Sequence, residues 1–346
     1  MNIKAIDLFC GIGGLTKGVE NAGINVVLGI DSDESCKYAY EKNTNSIFLN
    51  KPIESLDIEE IRKYYANTDI EVLMGCAPCQ PFSNYSLRYN KNGMKGEKWK
   101  LLNYFSNIIM KIQPDIVSME NVPQLSKKQI FKDFVTNLID LGYFVNYKIV
   151  NCVNYGVPQK RNRLVLLASK LGEIDLIPST YDKPITVKEA IGHLEEISNG
   201  EYSKNDLLHR SSRLSKINLR RIQQSVPGGS WEDWDDELLL PCHKKDSGKG
   251  YKSVYGRMSW DEPSPTITTQ FYGYGNGRFG HPTQNRAISL REGAILQSFP
   301  ENYDFSLELG EYNMKKIGTH IGNAVPVKLA EAIGHSIINH LVDMEK

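Results

Sequence analysis

The fold of this chain is most readily inferred from residues 3–23, IKAIDLFCGIGGLTKGVENAG. An apolar stretch at 3–9 predicts a strand, a turn containing Gly11 and Gly13 follows, and residues 15–21 have helical character. A strand, a glycine turn and a helix in this order bring a ligand against backbone N–H groups. The spacing of the glycines differs from the dinucleotide pattern G-x-G-x-x-G, and a tight turn between strand and helix would need the same residues.

Further strands strengthen this interpretation. Residues 26–30 predict a second strand that ends at Asp31 and Asp33, and residues 71–75 and 115–122 predict two more. A carboxylate after the second strand is where such folds bind a ribose hydroxyl. Because helical stretches lie between the strands, the sequence predicts an α/β fold with a doubly wound, mostly parallel sheet and its ligands at the carboxyl ends of the strands.

Length and composition limit the class of protein. The 346 residues are sufficient for two domains, and 24% charged and 40% hydrophobic residues form an ordinary globular mixture. The formal net charge of zero argues against a polycation but is compatible with a local basic surface. We find neither a signal peptide nor an apolar run of membrane-spanning length, so we expect a cytoplasmic protein with reduced thiols and no membrane.

The segment GCAPCQPFS, residues 75–83, poses a chemical question. Cys76 and Cys79 form a C-x-x-C pair, which is typical of a redox dithiol or of half a zinc site. A zinc site usually needs a second close pair of ligands, and the other four cysteines are isolated, so we expect no metal. The third interpretation is a nucleophilic cysteine in a loop that flanking prolines restrict.

Six motifs in order resemble those of the DNA (cytosine-5)-methyltransferases of the bacterial restriction–modification type, and together they span nearly the whole chain. Any one of them alone would be a weak signal. They are DLFCGIGG (7–14), GCAPCQPFS (75–83), MENV (119–122), QKRNR (159–163), RAISLREGAILQSFPENY (286–303) and IGNAVP (321–326).

The resemblance implies transfer of a methyl group from S-adenosylmethionine to C5 of a cytosine that is flipped out of duplex DNA. Cys79 would add to C6 as a thiolate, and Cys76 matches no catalytic position, so we interpret it as a packed thiol at a strand end. Glu120 would hold or donate a proton near N3 and N4, and Arg163 would bind O2. Arg161 would support the site, and a structural role for it stays open.

The same resemblance implies a set of cofactor-binding residues. One position departs from the family pattern: Pro52 lies where the family places an acid that meets the adenine amine, so Asn50, Glu54 or backbone groups would have to replace it. The residues expected at the cofactor are Phe9, Gly11, Gly13, Asp31, Asp33, Pro78, Leu101 and Asn323.

The chain composition changes after about residue 170. Basic, aromatic and glycine residues are mixed up to about residue 286, which is suited to following a DNA groove but would also fit an irregular small domain. The resemblance implies a target recognition domain here. We therefore expect a catalytic and cofactor-binding domain at 1–175, a target recognition domain with a hinge at 176–304, and a C-terminal segment at 305–346 that returns to the first domain.

Expected DNA contacts lie in both domains. Gln80 and Ser83 follow the proposed nucleophile, and Arg257 and Arg278 lie in the second domain. Other basic candidates in the second domain are Arg210, Arg220, Arg221, Lys244, Lys245 and Lys252.

The predicted function is that of a DNA (cytosine-5)-methyltransferase that acts as a monomer on double-stranded DNA and is paired with a cognate restriction endonuclease. A tRNA cytosine methyltransferase is the alternative enzyme, and a non-catalytic DNA-binding protein is the third interpretation. The long segment between QKRNR and RAISLRE favours DNA, because reading a sequence needs surface. The presence of Cys79, Glu120 and Arg163 argues against a non-catalytic protein.

Overall fold

The computed structural model describes residues 1–78, 100–246, 248, 250, 252–305 and 313–344. Its internal contacts divide the chain into two compact units. The first unit comprises Met1–Tyr155, Asn162–Thr180 and Val325–Lys346, and the second comprises Gly156–Arg161 and Tyr181–Ala324. This division assigns the described residues 305 and 313–324 to the second unit, whereas we expected them in the returning C-terminal segment.

The strands of the described residues are short. They are β1 Ile3–Leu8, β2 Asn25–Asp31, β3 Ile47–Asn50, β4 Ile70–Gly75, β5 Ile116–Asn121, β6 Phe144–Asn151, β7 Gln159–Lys160, β8 Asn162–Ser169 and β9 Ser264–Pro265. Seven of them form the sheet of the first unit in the order β3-β2-β1-β4-β5-β8-β6, and β7 pairs with β9 in the second unit. Strands β1 to β5 pair in parallel, and β8 is antiparallel to both β5 and β6. The predicted doubly wound, mostly parallel sheet is therefore confirmed.

The helices of the first unit cover the two faces of this sheet. The helices of the chain are α1 Gly14–Asn21, α2 Lys37–Asn43, α3 Ile58–Arg62, α4 Lys100–Ile112, α5 Gln129–Asp140, α6 Val187–Ile191, α7 Lys216–Gln224, α8 Leu290–Leu296, α9 Met314–Asn323 and α10 Val327–Met344. Ile6 of β1 shares a core with Phe105 of α4 and Phe134 of α5. Successive strand residues point to opposite faces, and Asp7 accepts a hydrogen bond from Thr16 of α1, so α1 lies on the other face.

Helix α10 packs closely on α1. A Cβ atom added to Gly18 would lie 2.3 Å from the carbonyl oxygen of Val327 and 2.4 Å from the Cβ of Ala330. Both distances are far shorter than real carbon contacts, so only glycine permits this approach. The C-terminal helix is thereby part of the first unit.

The second unit has short elements around an aromatic core. Trp231, Trp234 and Tyr274 pack with Ile222 in this core. A second buried feature is the ion pair between Arg286 and Glu292, whose two nitrogen–oxygen distances are both 2.7 Å.

The ion pair controls the charge state of Glu292. Burial alone would raise the pKa of Glu292, but the Arg286 guanidinium outweighs that effect and lowers the pKa to about 2. The pair lies inside the motif at 286–303, so this motif contributes a buried ion pair to the second unit. Among the described residues, no helix is both long enough and apolar enough to cross a bilayer.

Candidate active site

The glycine turn follows β1 at the carboxyl edge of the sheet. Phe9 at the strand end has φ 63°, and Gly11 and Gly13 have φ 52° and 85°. A positive φ at a bulky residue such as Phe9 is uncommon and costs conformational energy. The backbone of this turn is therefore held in an unusual shape, as expected for a segment that approaches a ligand.

Asp31 at the end of β2 holds that shape. Its Oδ2 accepts a hydrogen bond of 2.8 Å from the Gly11 N–H, and its Oδ1 accepts one of 2.9 Å from the Asp33 N–H. Asp33 is exposed, and its Oδ1 accepts a hydrogen bond of 3.0 Å from the Ser35 N–H. Asp31 thus links the glycine turn to the turn after β2, and both carboxylates lie at the edge where a ribose is expected.

The residues of this edge fit the implied cofactor. No atom lies within 4 Å of the position where a Cβ of Gly11 would be, so a ligand has room directly against the backbone. Phe9, Pro78 and Leu101 are half-buried, as suits residues that flank a partly apolar ligand.

The adenine position departs from the family pattern in a defined way. Pro52 precedes a short helical turn, and the Asn50 side chain donates a hydrogen bond of 3.1 Å to the backbone oxygen of Asp31. Glu54 is exposed in that turn. The Asn50 side chain is thus engaged by the end of β2, whereas the Glu54 side chain is open to solvent.

Glu120 and Arg163 form the charged centre of the site. Glu120 lies at the end of β5 and is 2% exposed, and Arg163 Nε lies 2.7 Å from its Oε1. The Nε–H bond of Arg163 does not point at this oxygen with the geometry of a hydrogen bond. Within the described residues, Glu120 Oε1 accepts no hydrogen bond. A buried carboxyl oxygen with unused hydrogen-bonding capacity beside a guanidinium is suited to a polar ligand that carries both donors and acceptors.

Two contacts join the end of β4 to the end of β5. Cys76 Sγ lies 2.9 Å from Glu120 Oε2, and Asn121 Nδ2 donates a hydrogen bond of 3.0 Å to the Ala77 oxygen. Cys76 is half-buried at the end of β4, and its contact with Glu120 was not part of our expectation of a packed strand-end thiol. The register signals this contact: Gly75 pairs with Met119, and the next residues outward are Cys76 and Glu120.

Three expected site residues lie outside the described residues, namely Cys79, Gln80 and Ser83. Pro78, directly before Cys79, is the last described residue of that segment. Asn323 is the last residue of α9 in the second unit and is exposed.

Arg161 lies in the interior of the second unit. It is 4% exposed, and its guanidinium donates hydrogen bonds of 3.0 Å to the Ile267 oxygen and 3.4 Å to the Gly322 oxygen. These acceptors favour the structural role that the sequence left open. The QKRNR motif is therefore divided between the two units, because Arg161 belongs to the second unit and Arg163 to β8 of the first.

The two arginines chosen as DNA contacts are engaged by the protein. Arg257 is 4% exposed, and its guanidinium donates to the backbone oxygens of Ile222, Ser225 and His281 among others. Arg278 donates to the backbone oxygens of Gly228 and, at 2.7 Å, of Gly229. Both guanidinium groups tie loops of the second unit together, which argues against the expected DNA contacts because few donors remain for DNA.

The other basic candidates divide by exposure. Arg221 is buried and donates to the Leu238 oxygen, and Arg220 forms an exposed ion pair with Glu237. Lys252 lies 2.9 Å from Glu232. Those exposed to solvent are Arg220, Lys244, Lys245 and Lys252.

Comparison with known proteins identifies the family of this chain. The family model of the C-5 cytosine-specific DNA methylases matches residues 3–339. The chain therefore belongs to this family, and it is a DNA (cytosine-5)-methyltransferase of the Type II restriction–modification kind.

Individual relatives are similar over nearly the whole chain. The Type II methylase M.HgiDII of Herpetosiphon aurantiacus is 52% identical over 337 residues, which cover 96% of this chain and 94% of the relative. The Type II methyltransferase M1.BsuMI of Bacillus subtilis is 35% identical and covers 95% of this chain and 79% of the relative.

Solved structures share the fold. A putative DNA modification methyltransferase encoded within a prophage of E. coli matches with a TM-score of 0.74 and 21% identity, over 98% of this chain and 99% of that one. The Entamoeba histolytica methyltransferase EhMeth matches with a TM-score of 0.69 and 18% identity, over 99% of both chains.

Proposed function

We propose that this enzyme transfers a methyl group from S-adenosylmethionine to C5 of a flipped-out cytosine in a specific duplex DNA sequence, through a covalent bond between Cys79 and C6. The observation that supports this most is the pair formed by Glu120 and Arg163. A buried carboxyl and a guanidinium 2.7 Å apart match the N3, N4 and O2 edge of a cytosine. Cys76, one residue after β4, contacts Glu120, and Cys79 follows three residues later in the sequence.

Cys79, Glu120 and Arg163 have different roles in the reaction. The Cys79 thiolate adds to C6, which moves an electron pair towards N3 and O2. Glu120 hands its proton to N3, Arg163 stabilises the charge at O2, and C5 becomes the nucleophile. S-adenosylmethionine, when bound, supplies the electrophilic methyl group for C5.

The reaction closes by elimination. A base takes the proton from C5, the electron pair of that bond reforms the C5–C6 double bond, and the sulfur of Cys79 leaves C6. The N3 proton returns to Glu120, so the enzyme ends in its starting state. General acid catalysis by such a carboxyl typically contributes about 10²–10⁴-fold to the rate.

Cofactor binding belongs to the same proposal. Gly11 and Gly13 would bring the backbone of the turn against the methionine portion, with Phe9, Pro78 and Leu101 around the ligand. Asp31 and Asp33 would bind the ribose, Glu54 would approach the adenine amine, and Asn323 would close the site.

The second unit would read the DNA sequence. Exposed Lys244 and Lys245 are the better candidates for phosphate contacts, since Arg257 and Arg278 are committed to backbone oxygens. Action as a monomer, a cytoplasmic location and a cognate restriction endonuclease with the same target complete the proposal.

A methyl-transfer assay tests the proposal. The purified enzyme receives S-adenosylmethionine with a labelled methyl group and either mixed-sequence duplex DNA or a tRNA pool. Nucleoside analysis of the labelled product then identifies the methylated base, and bisulfite sequencing gives the sequence context of a methylated cytosine. We expect label in duplex DNA at cytosines of one sequence context and none with Cys79→Ala. Label in tRNA alone, or DNA label at adenine or at cytosine N4, would overturn the proposal.

A further inference from the structure

The contact between Cys76 and Glu120 follows from the pairing of two neighbouring strands. The last paired residues of β4 and β5 are Gly75 and Met119. One residue further, Cys76 Sγ lies 2.9 Å from Glu120 Oε2, and one residue beyond that, Asn121 binds the Ala77 oxygen. Side chains thus continue the contact between the strands after the backbone pairing ends.

The two carboxyl oxygens of Glu120 have different surroundings. Oε2 faces the Cys76 thiol from the end of β4, and Oε1 faces the Arg163 guanidinium from β8. Within the described residues, these two groups are the charged or titratable side chains in contact with Glu120. Arg163 can only donate, so it favours a carboxyl oxygen that carries no proton. The proton of Glu120 is therefore expected on Oε2, beside the thiol.

A thiol suits that position because it is both a weak donor and a weak acceptor. It can donate to Oε2 when Glu120 is ionised, and it can accept from Oε2 when Glu120 carries a proton. A lysine or arginine at position 76 would favour only the ionised carboxylate. An alanine would leave Oε2 without this partner in both states.

We propose that Cys76 is a positioning residue, whose thiol holds the Glu120 carboxyl in one orientation while the carboxyl gains and loses its proton. This inference rests on the proposed function, in which Glu120 exchanges a proton with the cytosine. Cys76 does not touch the reacting atoms in this role. The C-x-x-C pair would then be neither a redox nor a metal motif, but would join two cysteines with different tasks.

The test compares three variants with the wild-type enzyme. Cys76→Ala removes the contact, and Cys76→Ser retains a group that donates and accepts. Cys152→Ala is the matched control, because Cys152 is a buried thiol elsewhere in the first unit. Single-turnover methyl transfer to duplex DNA is measured between pH 6 and 9 with saturating cofactor, together with the Kd for DNA.

We expect the Cys76→Ala rate to fall by about tenfold with little change in the Kd for DNA, the size of effect that loss of one hydrogen bond produces. Cys76→Ser should recover most of the rate. A hydroxyl donates more strongly than a thiol and favours the ionised carboxylate, so the decline of the rate at high pH should begin at lower pH than in the wild type. In Cys76→Ala, which has no donor, the decline should begin at higher pH, and Cys152→Ala should follow the wild-type profile.

A double-mutant cycle separates positioning from a loss of stability. In a Glu120→Gln background, Cys76→Ala should have no further effect on the rate, because the thiol acts through the carboxyl. Three results would each overturn the inference. They are an equal loss of rate from Cys76→Ala in both backgrounds, wild-type rates and pH profiles in both Cys76 variants, and a Cys76→Ser rate no higher than that of Cys76→Ala. A wild-type enzyme that does not methylate DNA would instead overturn the proposed function together with it.

Discussion

We propose that single residues at the carboxyl edge of the sheet carry most of the chemistry. Glu120 is buried between the Cys76 thiol and the Arg163 guanidinium, and Asp31 shapes the glycine turn. The sequence predicted that Asp31 and Glu120 lie at strand ends, because the apolar pattern of a strand is a local property. It missed the contact of Cys76 with Glu120 since that contact depends on the register between two strands.

Glu120→Gln tests the proton transfer. Glutamine still forms hydrogen bonds but cannot hand a proton to N3, so single-turnover methyl transfer should fall far more than DNA affinity. Single-turnover rates within about threefold of wild type would contradict the role, because general acid catalysis typically contributes at least about 10²-fold. Glu59→Gln on the exposed side of α3 is the matched control and should retain the wild-type rate.

The raised pKa of Asp7 predicts how the free energy of unfolding changes with pH. Burial raises the pKa of Asp7 from its ordinary 3.8 to about 8, and the hydrogen bond of 2.7 Å from Thr16 offsets this only in part. The folded protein therefore keeps the proton of Asp7 at neutral pH, whereas the unfolded chain releases it above about pH 4. The contribution of Asp7 to stability is complete below pH 4 and is lost as the pH rises to about 8.

The comparison with Asp7→Asn isolates this effect. Between pH 5 and 7.5, the free energy of unfolding of the wild type should fall relative to that of Asp7→Asn by up to about 1.4 kcal/mol per pH unit. Urea unfolding at a series of pH values measures the difference, and Asp140→Asn at the exposed end of α5 serves as control. A difference that does not change with pH would show that Asp7 is ionised in the folded protein.

At the scale of elements, the alternation of strands and helices was predictable from the apolar pattern. The predicted strands at 3–9 and 71–75 correspond to Ile3–Leu8 and Ile70–Gly75. The antiparallel position of β8 between β5 and β6 was not predicted, since neighbours in a sheet are set by tertiary packing. The close approach of α1 and α10 was not predicted either, because the sequence around Gly18 does not indicate which distant helix packs against it.

Gly18→Ala tests that approach. The added methyl group would overlap the backbone of Val327 and the side chain of Ala330, so α10 must move away from α1. Overpacking of this kind typically costs about 1–3 kcal/mol, although alanine is the better helix former. Thermal unfolding should show a lower Tm for Gly18→Ala, whereas Asn21→Ala at the exposed end of α1 should differ little from wild type. An unchanged Tm for Gly18→Ala would mean that α10 is not held against α1.

At the scale of the whole molecule, we propose that chemistry and recognition belong to different segments of the chain. Glu120 and Arg163, to which we assign the chemistry, lie in the first unit, and Arg161 belongs to the second. Residues 181–285 contain none of the residues matched to chemistry. Composition predicted a basic, aromatic segment there, but not which arginines are buried. Arg257 and Arg278 bind backbone oxygens because an irregular unit with little regular secondary structure needs other donors for its carbonyl groups.

A chimera tests this division. Replacement of residues 181–285 by the corresponding segment of a relative that reads another sequence should move the methylation target and leave the chemistry intact. The buried pair of Arg286 and Glu292 remains in the chimera and preserves the frame of the second unit. Bisulfite sequencing of DNA from cells that express the chimera reports the new target, and methylation of the original site would show that recognition lies elsewhere.

The central claim is that Cys79 forms a covalent bond with the cytosine, and trapping this bond tests the claim most directly. A duplex with 5-fluorocytosine at the target base is incubated with the enzyme and S-adenosylmethionine, since fluorine at C5 prevents the final elimination. Peptide mapping by mass spectrometry then locates the attached nucleotide. We predict one adduct on Cys79 in the wild type, also in Cys76→Ser, and none in Cys79→Ala; an adduct on Cys76, or methyl transfer by Cys79→Ala at the wild-type rate, would contradict the account.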